Sequence, residues 1–306
     1  MRQLCRVVLA LLIAIATIAP AWSWGDNGHR VICEMAYRLL DKGTQSKVME
    51  LVGKYEHPDG DRYESYDVAC VFPELARKKA AEYDRAVAEG KSGRAAELER
   101  WKRFSRFDPW HFVDVPRTAR DVKASDCGDG CLFTGIAESS KQLTDASADS
   151  KAHAEALIFL GHWIGDLHQP LHVAYADDEH GESIIAEGFY GPYSLYEIWN
   201  RRMLDKRNRE GDRIGPYVKE LLKKLEATDH ADWTGGDPVA WANESYHIAT
   251  QPPFRYCRWA DDSCIPLEGK LELTDAYRDE FEGVMEERLM RAAVRLAAHL
   301  ESALNP

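Results

Sequence analysis

Apolar side chains recur along most of the chain at the three- and four-residue spacing of an α-helix. The first such segment starts near Asp26 or Asn27, either of which is a candidate N-cap, and its apolar positions are Ile32, Met35, Ala36, Leu39 and Leu40. A second strong helix is predicted over residues 154–169, where Pro170 ends it. A third lies near the C-terminus, with an apolar face formed by Met285, Leu289, Ala292, Ala293, Leu296, Ala297 and Leu300.

The rest of the pattern adds few other elements. Residues 76–104 are charged and alanine-rich and are interrupted at residues 89–93, so we expect a solvated helical hairpin there without a chemical role. Alternating strand patterns are few, and neither a tandem repeat nor a Pro/Ser-rich linker is seen. The sequence therefore predicts an all-α fold in a single compact domain of many helices.

The first 23 residues have the pattern of a secretory signal peptide. Arg2 and Arg6 precede an apolar run at residues 7–18, and Ala21 and Ser23 are small residues suited to a cleavage site after Ser23. The alternative, an uncleaved membrane anchor, fits less well because the run is short for a span. We expect a secreted or periplasmic protein whose domain comprises residues 24–306 and begins at Trp24.

The charge composition excludes one class of nucleic-acid-binding protein. Cleavage removes two arginines and no acidic residue, which leaves 37 basic and 51 acidic residues and changes the formal charge from −12 to −14. A general coat protein for duplex DNA needs a basic surface, so that class is excluded. A small basic or metal-bearing cleft remains compatible with a phosphate substrate.

Six cysteines remain after cleavage, an even number that favours disulfides in an exported chain. The close pairs Cys127/Cys131 and Cys257/Cys264 are candidate bridges, whereas the connectivity of the full set, which also includes Cys33 and Cys70, stays open. A zinc–thiolate site is the alternative, but the expected oxidising compartment and the absence of CxxC spacing disfavour it.

One segment concentrates possible metal ligands. In "HWIGDLHQPLH", His162 and Asp166 are one helical turn apart, opposite the apolar stripe, and can both reach one metal ion. His172 follows just beyond Pro170, and His168 points to a different side. An ordinary amphipathic helix with its polar face in water is the alternative interpretation.

Two further segments add candidate ligands. "FDPWHFVDVP" contains His111 and Asp114 among aromatic residues, although a lone histidine there often serves only in packing. At the predicted new N-terminus, the amine and carbonyl of Trp24 can chelate zinc, because the amine loses its proton easily beside a cation. His29 lies five residues further on. Alternatively, Trp24 is only an apolar plug.

These motifs together resemble the S1/P1 family of zinc-dependent nucleases that prefer single strands. The resemblance covers essentially the whole domain and is carried by "WGDNGH", "WHFVDVP", "HWIGDLHQPLH", "WANES" and "RLMRAAVRLAAHL". It implies an all-α fold of the zinc phospholipase C kind, export, and a cluster of zinc ions. The ligands that it implies in this chain are Trp24, His29, Glu74, His111, His162, Asp166 and His172.

Within this set, the resemblance has Asp166 bridge two zinc ions. Trp24 and His29 complete one site, and Glu74, His111 and His162 the other. Glu74 lies in "FPELAR", where the family has an aspartate in "WADxxR", and Arg77 keeps the position of the family's phosphate-contacting arginine. The alternative for Arg77 is one more charge on a charged helix.

The chain departs from the family pattern at the third zinc. His172 matches, but "SLYEIWN" puts Tyr196 and Asn200 where "NLHxxWD" supplies a histidine and an aspartate, and the family's "GGN" reads His180-Gly181-Glu182. Phenol and amide are poor zinc ligands compared with imidazole and carboxylate. Two zinc sites are therefore expected and the third is doubtful. The possible substitutes Asp177, Asp178, His180, Glu182 and Glu197 are more simply solvated loop charges.

The resemblance implies cleavage of phosphodiester bonds in single-stranded DNA and RNA to 5′-phosphate products, with possible 3′-nucleotidase activity. Asp166 and Arg77 are the implied catalytic residues, and Phe112 and Asp114 line the implied base pocket, where ring stacking is tolerant of sequence. Alternatively, Phe112 belongs to the core and Asp114 orients a ligand histidine. Single-stranded nucleic acid or nucleotides are the expected partners, with no stable membrane association and no protein partner.

Two other functions remain open at this point. The same scaffold serves zinc phospholipases C, so another phosphoester is a possible substrate, although the base-pocket motif favours nucleic acid. Tyr196 and Asn200 also leave room for a catalytically impaired, metal-stabilised binding protein.

Overall fold

The computed structural model describes residues 24–207, 214–267 and 269–305. The predicted signal peptide, residues 1–23, lies outside this part of the chain. The fold is all-α, as predicted. Its helices are α1 Asp26–Leu39, α2 Lys42–Lys54, α3 Tyr66–Ala69, α4 Phe72–Ala88, α5 Ser92–Leu98, α6 Leu132–Thr144, α7 Ser150–Leu167, α8 Leu195–Glu197, α9 Met203–Arg207, α10 Gly215–Glu226, α11 Pro238–Thr250 and α12 Asp275–Leu304.

The strands are short and lie between helices. They are β1 Val113–Asp114, β2 Val173–Ala174, β3 Ile185–Gly188, β4 Tyr193–Ser194, β5 Cys257–Ala260, β6 Ser263–Pro266 and β7 Leu271–Leu273. β5 and β6 form an antiparallel hairpin, and β3 lies between β4 and β7. β1 pairs with β2 in parallel with Val113 opposite Val173, so the residues that precede both strands, Phe112 and His172, are brought side by side.

Helix α7 is the centre of the molecule. The Asp149 carboxylate caps it by accepting from the Lys151 and Ala152 amides, and Pro170 follows its end as predicted. Helices α1, α2, α4, α6 and α12 pack around it. Every residue from 156 to 175 is buried. The interpretation of α7 as an amphipathic helix with one face in water is therefore wrong, and its polar residues need partners inside the protein.

Two sequence predictions need correction. The N-cap of α1 is Gly25, whose amide donates to the Asn200 carbonyl (2.7 Å), rather than Asp26 or Asn27. The predicted hairpin at residues 76–104 does break as expected, at Gly90 with a φ of 68°. It is not solvated all round, however, because Ala80, Tyr83 and other residues along one face are buried.

Three disulfides are present among the described residues, Cys33–Cys70, Cys127–Cys131 and Cys257–Cys264. The two local bridges confirm the predicted pairs, and the third joins α1 to the end of α3. Their presence fits an oxidising compartment. Within the described ranges, the helices lack the combination of length and apolar character that a membrane span requires.

Candidate metal centre

His162 and Asp166 project from α7 into the interior, and both are fully buried. His162 Nδ1 lies 2.9 Å from the Cys70 carbonyl oxygen. Since a carbonyl only accepts, Nδ1 carries the proton and Nε2 keeps a lone pair, the arrangement common among metal-binding histidines. Nε2 in turn lies 3.3 Å from Asp166 Oδ2. His168 faces another side, as predicted, where its Nε2 accepts from Arg295 Nη1 (2.8 Å).

His111 reaches the same carboxylate from the end of the 3₁₀ segment Glu99–His111. Its Nδ1 lies 2.9 Å from Asp166 Oδ2 and 3.3 Å from His162 Nε2. The ring of Trp163 packs edge-on against His111 at 4.7 Å between centroids. Three donor atoms from two distant parts of the chain therefore meet at one point.

His29 arrives from α1. Its Nε2 lies 3.1 Å from Asp166 Oδ1, the oxygen that His111 and His162 do not share, and its ring stacks on His162 at 3.8 Å. A Cβ on Gly165 would lie 2.8 Å from His29 Nδ1, so a larger residue there would displace the imidazole. The glycine permits α1 to approach α7 this closely.

The indole of Trp24 is completely buried and packs on Gly28. It thus acts as the apolar plug that the sequence allowed. The chelate through its amine and carbonyl stays a prediction, because it needs cleavage after Ser23.

Glu74 occupies the first turn of α4 and is 2% exposed. Neither carboxylate oxygen has a hydrogen-bond partner among the described residues. The nearest cations are Lys78 Nζ at 3.6 Å and Arg77 Nη1 at 3.8 Å. Burial raises the pKa of Glu74 against the opposing effect of these two cations. A buried carboxylate without hydrogen bonds is well suited to a metal ion.

Two overlapping sets of donor atoms result. His29, His162 and Asp166 form one set and Glu74, His111 and His162 the other, with all ligand atoms of a set within 4.8 Å of one another. Imidazole nitrogen and carboxylate oxygen are zinc ligands. The residues present therefore fit a pair of neighbouring metal positions.

The protonation states also suit metal binding. Burial lowers the pKa of His29 to about 4 and that of His111 to about 3, so both are neutral at pH 7. Burial alone would raise the pKa of Asp166, but His162 and His172 together with hydrogen bonds hold it well below its usual value. His29 and His111 thus offer neutral imidazoles and Asp166 an ionised carboxylate, the forms that bind cations.

The residues at the third position bind one another. His172 Nδ1 donates to the His111 carbonyl (2.7 Å), and its Nε2 lies 3.2 Å from Tyr196 Oη. Burial raises the pKa of Tyr196 well above its usual value, so the phenol stays neutral. Asn200 Oδ1 accepts from Gln169 Nε2. These neutral, hydrogen-bonded groups do not fit a third zinc ion.

The loop carboxylates named above as possible substitutes pair with other groups. Arg117 binds Asp177 and Asp178, the Ser194 hydroxyl donates to Glu182, and Arg201 and Arg202 bind Glu197. Their interpretation as solvated charges is wrong for Asp178, which is 6% exposed and also accepts from the Tyr256 hydroxyl (2.7 Å).

Three further predicted residues lie beside the centre. Arg77 Nε donates to Asp108 Oδ1 (2.8 Å), and its guanidinium carbon lies 5.2 Å from the centroid of the Phe112 ring. Phe112 is half-buried and stacks on His172 at 4.9 Å. Asp114 is exposed and accepts from His180 Nε2 at 2.8 Å.

Sequence reasoning missed the residues that bring these groups together. A Cβ on Gly161 would lie 2.8 Å from Cys70 Sγ and 2.9 Å from Cys33 Sγ, so this glycine lets the disulfide pack against α7. The signal was present in "GHWIG", where the two glycines are four residues apart on the face that carries His162. The imidazole of His180 also stacks on Phe112, and this contact left no such signal.

Comparisons with known proteins agree with this architecture. The family model described as S1/P1 Nuclease matches residues 24–305. The chain is 24% identical to Endonuclease 1 of Arabidopsis thaliana over 97% of this chain and 92% of that protein. It is 24% identical to Nuclease S1 of Aspergillus oryzae over 95% of this chain and 96% of that protein. With Nuclease P1 of Penicillium citrinum it shares 30% identity over 50% of this chain and 57% of that protein. The chain belongs to the S1/P1 nuclease family.

Proposed function

We propose that the chain is an exported, zinc-dependent nuclease that hydrolyses phosphodiester bonds of single-stranded DNA and RNA to 5′-phosphate products, with accompanying 3′-nucleotidase activity. The observation that carries the proposal is the pair of buried donor sets that meet at Asp166 and His162, next to Arg77 and the ring of Phe112. The site thereby combines groups that can neutralise the charge of one phosphodiester with a ring of the type on which a base stacks.

Two zinc ions would be held by this chain. One would take the amine and carbonyl of Trp24, with His29 and Asp166; the other would take Glu74, His111, His162 and Asp166. Bound zinc would supply Lewis-acid stabilisation of phosphoryl-oxygen charge and a water of lowered pKa. A cleaved leader is part of the proposal, and the family match that begins at Trp24 supports it.

Three side chains of the protein would contact the substrate directly. Arg77 is held by Asp108 at one edge, and its guanidinium would neutralise negative charge that develops on the phosphoryl oxygens. Phe112 would stack on one base and Asp114 would accept a hydrogen bond from it. Only an unstacked base can reach such a ring, so a single strand is preferred over a duplex.

His172, Tyr196 and Asn200 would not hold metal in this proposal. They would instead fix His111 and the wall of the site through neutral hydrogen bonds. A leaving oxygen would then depart without help from a third cation, so we expect slower turnover than in a family member with three zinc ions.

Incubation of the processed chain with matched single-stranded and duplex oligonucleotides tests the proposal. The expected result is cleavage of the single strand, 5′-phosphate ends, loss of activity with chelator and recovery with zinc. A parallel assay with phosphatidylcholine vesicles separates the alternatives. Hydrolysis of lipid without cleavage of nucleic acid would indicate a phospholipase, and zinc binding without either reaction would indicate a binding protein.

A further inference from the structure

Besides His172, a second imidazole of the same chain stacks on the ring of Phe112. The imidazole of His180 stacks on Phe112 with 4.1 Å between centroids and 16° between planes. Its Nε2 lies 2.8 Å from Asp114 Oδ1. His180 therefore makes both contacts, a stack and a hydrogen bond, that the proposed function gives to a base.

The backbone that carries His180 is strained. Glu179 and His180 have φ values of 53° and 58°, the left-handed region, which non-glycine residues rarely adopt in succession. Such a conformation persists where the surrounding structure enforces it, and it is concentrated at functional sites.

The flanking residues enforce it here. Asp178 accepts from Arg117 Nη2 (2.5 Å), from the Gly181 amide (2.8 Å) and from the Tyr256 hydroxyl (2.7 Å). Asp178 is buried and Tyr256 completely so. The backbone beside His180 is therefore held in place. The His180 side chain itself is 12% exposed, and its partner Asp114 is 62% exposed.

The spacing excludes a base between the two rings. A stacked base occupies about 3.4 Å, so two rings that flank one base stand about 6.8 Å apart. The observed 4.1 Å leaves no room for insertion. We infer that His180 is a specificity-determining residue that occupies the base position on Phe112 and Asp114 and is displaced by the base of the substrate.

This inference rests on the proposed function, because it assigns Phe112 and Asp114 to base binding. The inference requires a movement of the His180 side chain alone, because the contacts of Asp178 hold the backbone beside it. Where His180 competes for the base position, only the fraction of molecules with an open position can bind a base. The apparent Kd for the base is the intrinsic Kd divided by that fraction. Strands whose bases stack weakly are disfavoured most.

Adenosine 5′-monophosphate is a suitable probe, because its binding is measured by calorimetry without any cleavage. We expect His180→Ala to bind this nucleotide about 5- to 30-fold more tightly than the unaltered chain, because one competing stack is removed. The KM for a single-stranded oligonucleotide falls by a similar factor, and kcat changes less than about twofold. In His180→Ala/Phe112→Ala the gain in affinity is lost.

The matched control is His247→Ala. His247 Nε2 likewise lies 2.9 Å from an exposed aspartate, Asp121, and it is assigned no role in the site. It should leave nucleotide affinity and KM unchanged, and unfolding temperatures of the variants check that each is folded.

Three outcomes overturn the inference: unchanged affinity in His180→Ala, weaker affinity, or no nucleotide binding in any form of the chain. The proposed function fails separately. If no form cleaves nucleic acid but His180→Ala still binds the nucleotide more tightly, the nuclease assignment falls and the occupied base position stands. If all forms cleave nucleic acid with the same KM, the nuclease assignment stands and the inference about His180 falls.

Discussion

Three imidazoles lie within 3.3 Å of the Asp166 carboxylate. Its Oδ1 lies 3.1 Å from His29 Nε2, and its Oδ2 lies 2.9 Å from His111 Nδ1 and 3.3 Å from His162 Nε2. An ionised carboxylate with one oxygen toward each donor set can join two cations. A neutral amide offers a single acceptor and cannot serve both sides.

We therefore expect Asp166→Asn to lose at least half of the bound zinc and to lower kcat/KM by at least about 100-fold. Metal analysis together with oligonucleotide cleavage checks this. Asp121→Asn, at an exposed carboxylate that pairs with His247 and is assigned no role in the site, is the control. Normal zinc content in Asp166→Asn would remove this residue from the metal centre.

The guanidinium of Arg77 lies over the ring of Phe112 and is held by Asp108. We expect Arg77→Ala to lower kcat by about 10²–10³-fold while zinc content stays normal, because the guanidinium acts on substrate charge. Arg77→Lys should recover only part of the lost kcat, since an ammonium lacks the forked N–H donors of a guanidinium. Arg85→Ala, exposed on the same helix, is the control. Equal kcat in Arg77→Ala and Arg85→Ala would contradict the assignment.

At the scale of elements, two glycines of α7 decide how closely its neighbours approach. Gly161 accommodates the Cys33–Cys70 disulfide, and Gly165 accommodates His29. The disulfide in turn fixes the Cys70 carbonyl that accepts from His162 Nδ1. Helices α1, α3 and α7 thus build the site through close backbone contacts.

Gly165→Ala tests this role. The added Cβ would lie 2.8 Å from His29 Nδ1, so we expect His29 to shift and zinc affinity to fall about 10- to 100-fold. Gly283→Ala in α12 is the matched control, because a Cβ there would enter open space among the described residues and alanine favours a helix. Unchanged zinc affinity in Gly165→Ala would show that α7 and α1 adjust without loss of the site.

At the scale of the whole molecule, helical spacing predicted α1, α7 and α12 and the pairing of His162 with Asp166. Family motifs brought in Glu74 and Arg77. The Cys33–Cys70 bridge could not be predicted, since it depends on how α1 packs against α3. The place of His180 could not be predicted either, because left-handed backbone at a non-glycine residue has only a weak local sequence signal.

Burial of the histidines links the fold to pH. The pKa values of His29 and His172 are lowered to about 4 and that of His111 to about 3, from an ordinary value near 6.5. Below about pH 6.5 the unfolded chain therefore binds more protons than the folded chain. The free energy of unfolding then falls as the pH falls toward 4, by up to about 1.4 kcal/mol per pH unit for each histidine.

Denaturant unfolding of the chelator-treated chain at pH 7, 6, 5 and 4 measures this dependence. We expect full stability at pH 7 and a steep loss between pH 6 and pH 4. A free energy of unfolding that stays level from pH 7 to pH 5 would contradict the neutral, buried state of these three imidazoles.

The most direct test of the account is the zinc content of a chain that begins at Trp24, measured together with cleavage of a single-stranded oligonucleotide. The account predicts two zinc ions per chain and activity that chelation abolishes. One additional N-terminal alanine should remove one ion, because it takes the amine away from Trp24. Fewer than one ion per chain, or cleavage that survives chelation, would contradict it.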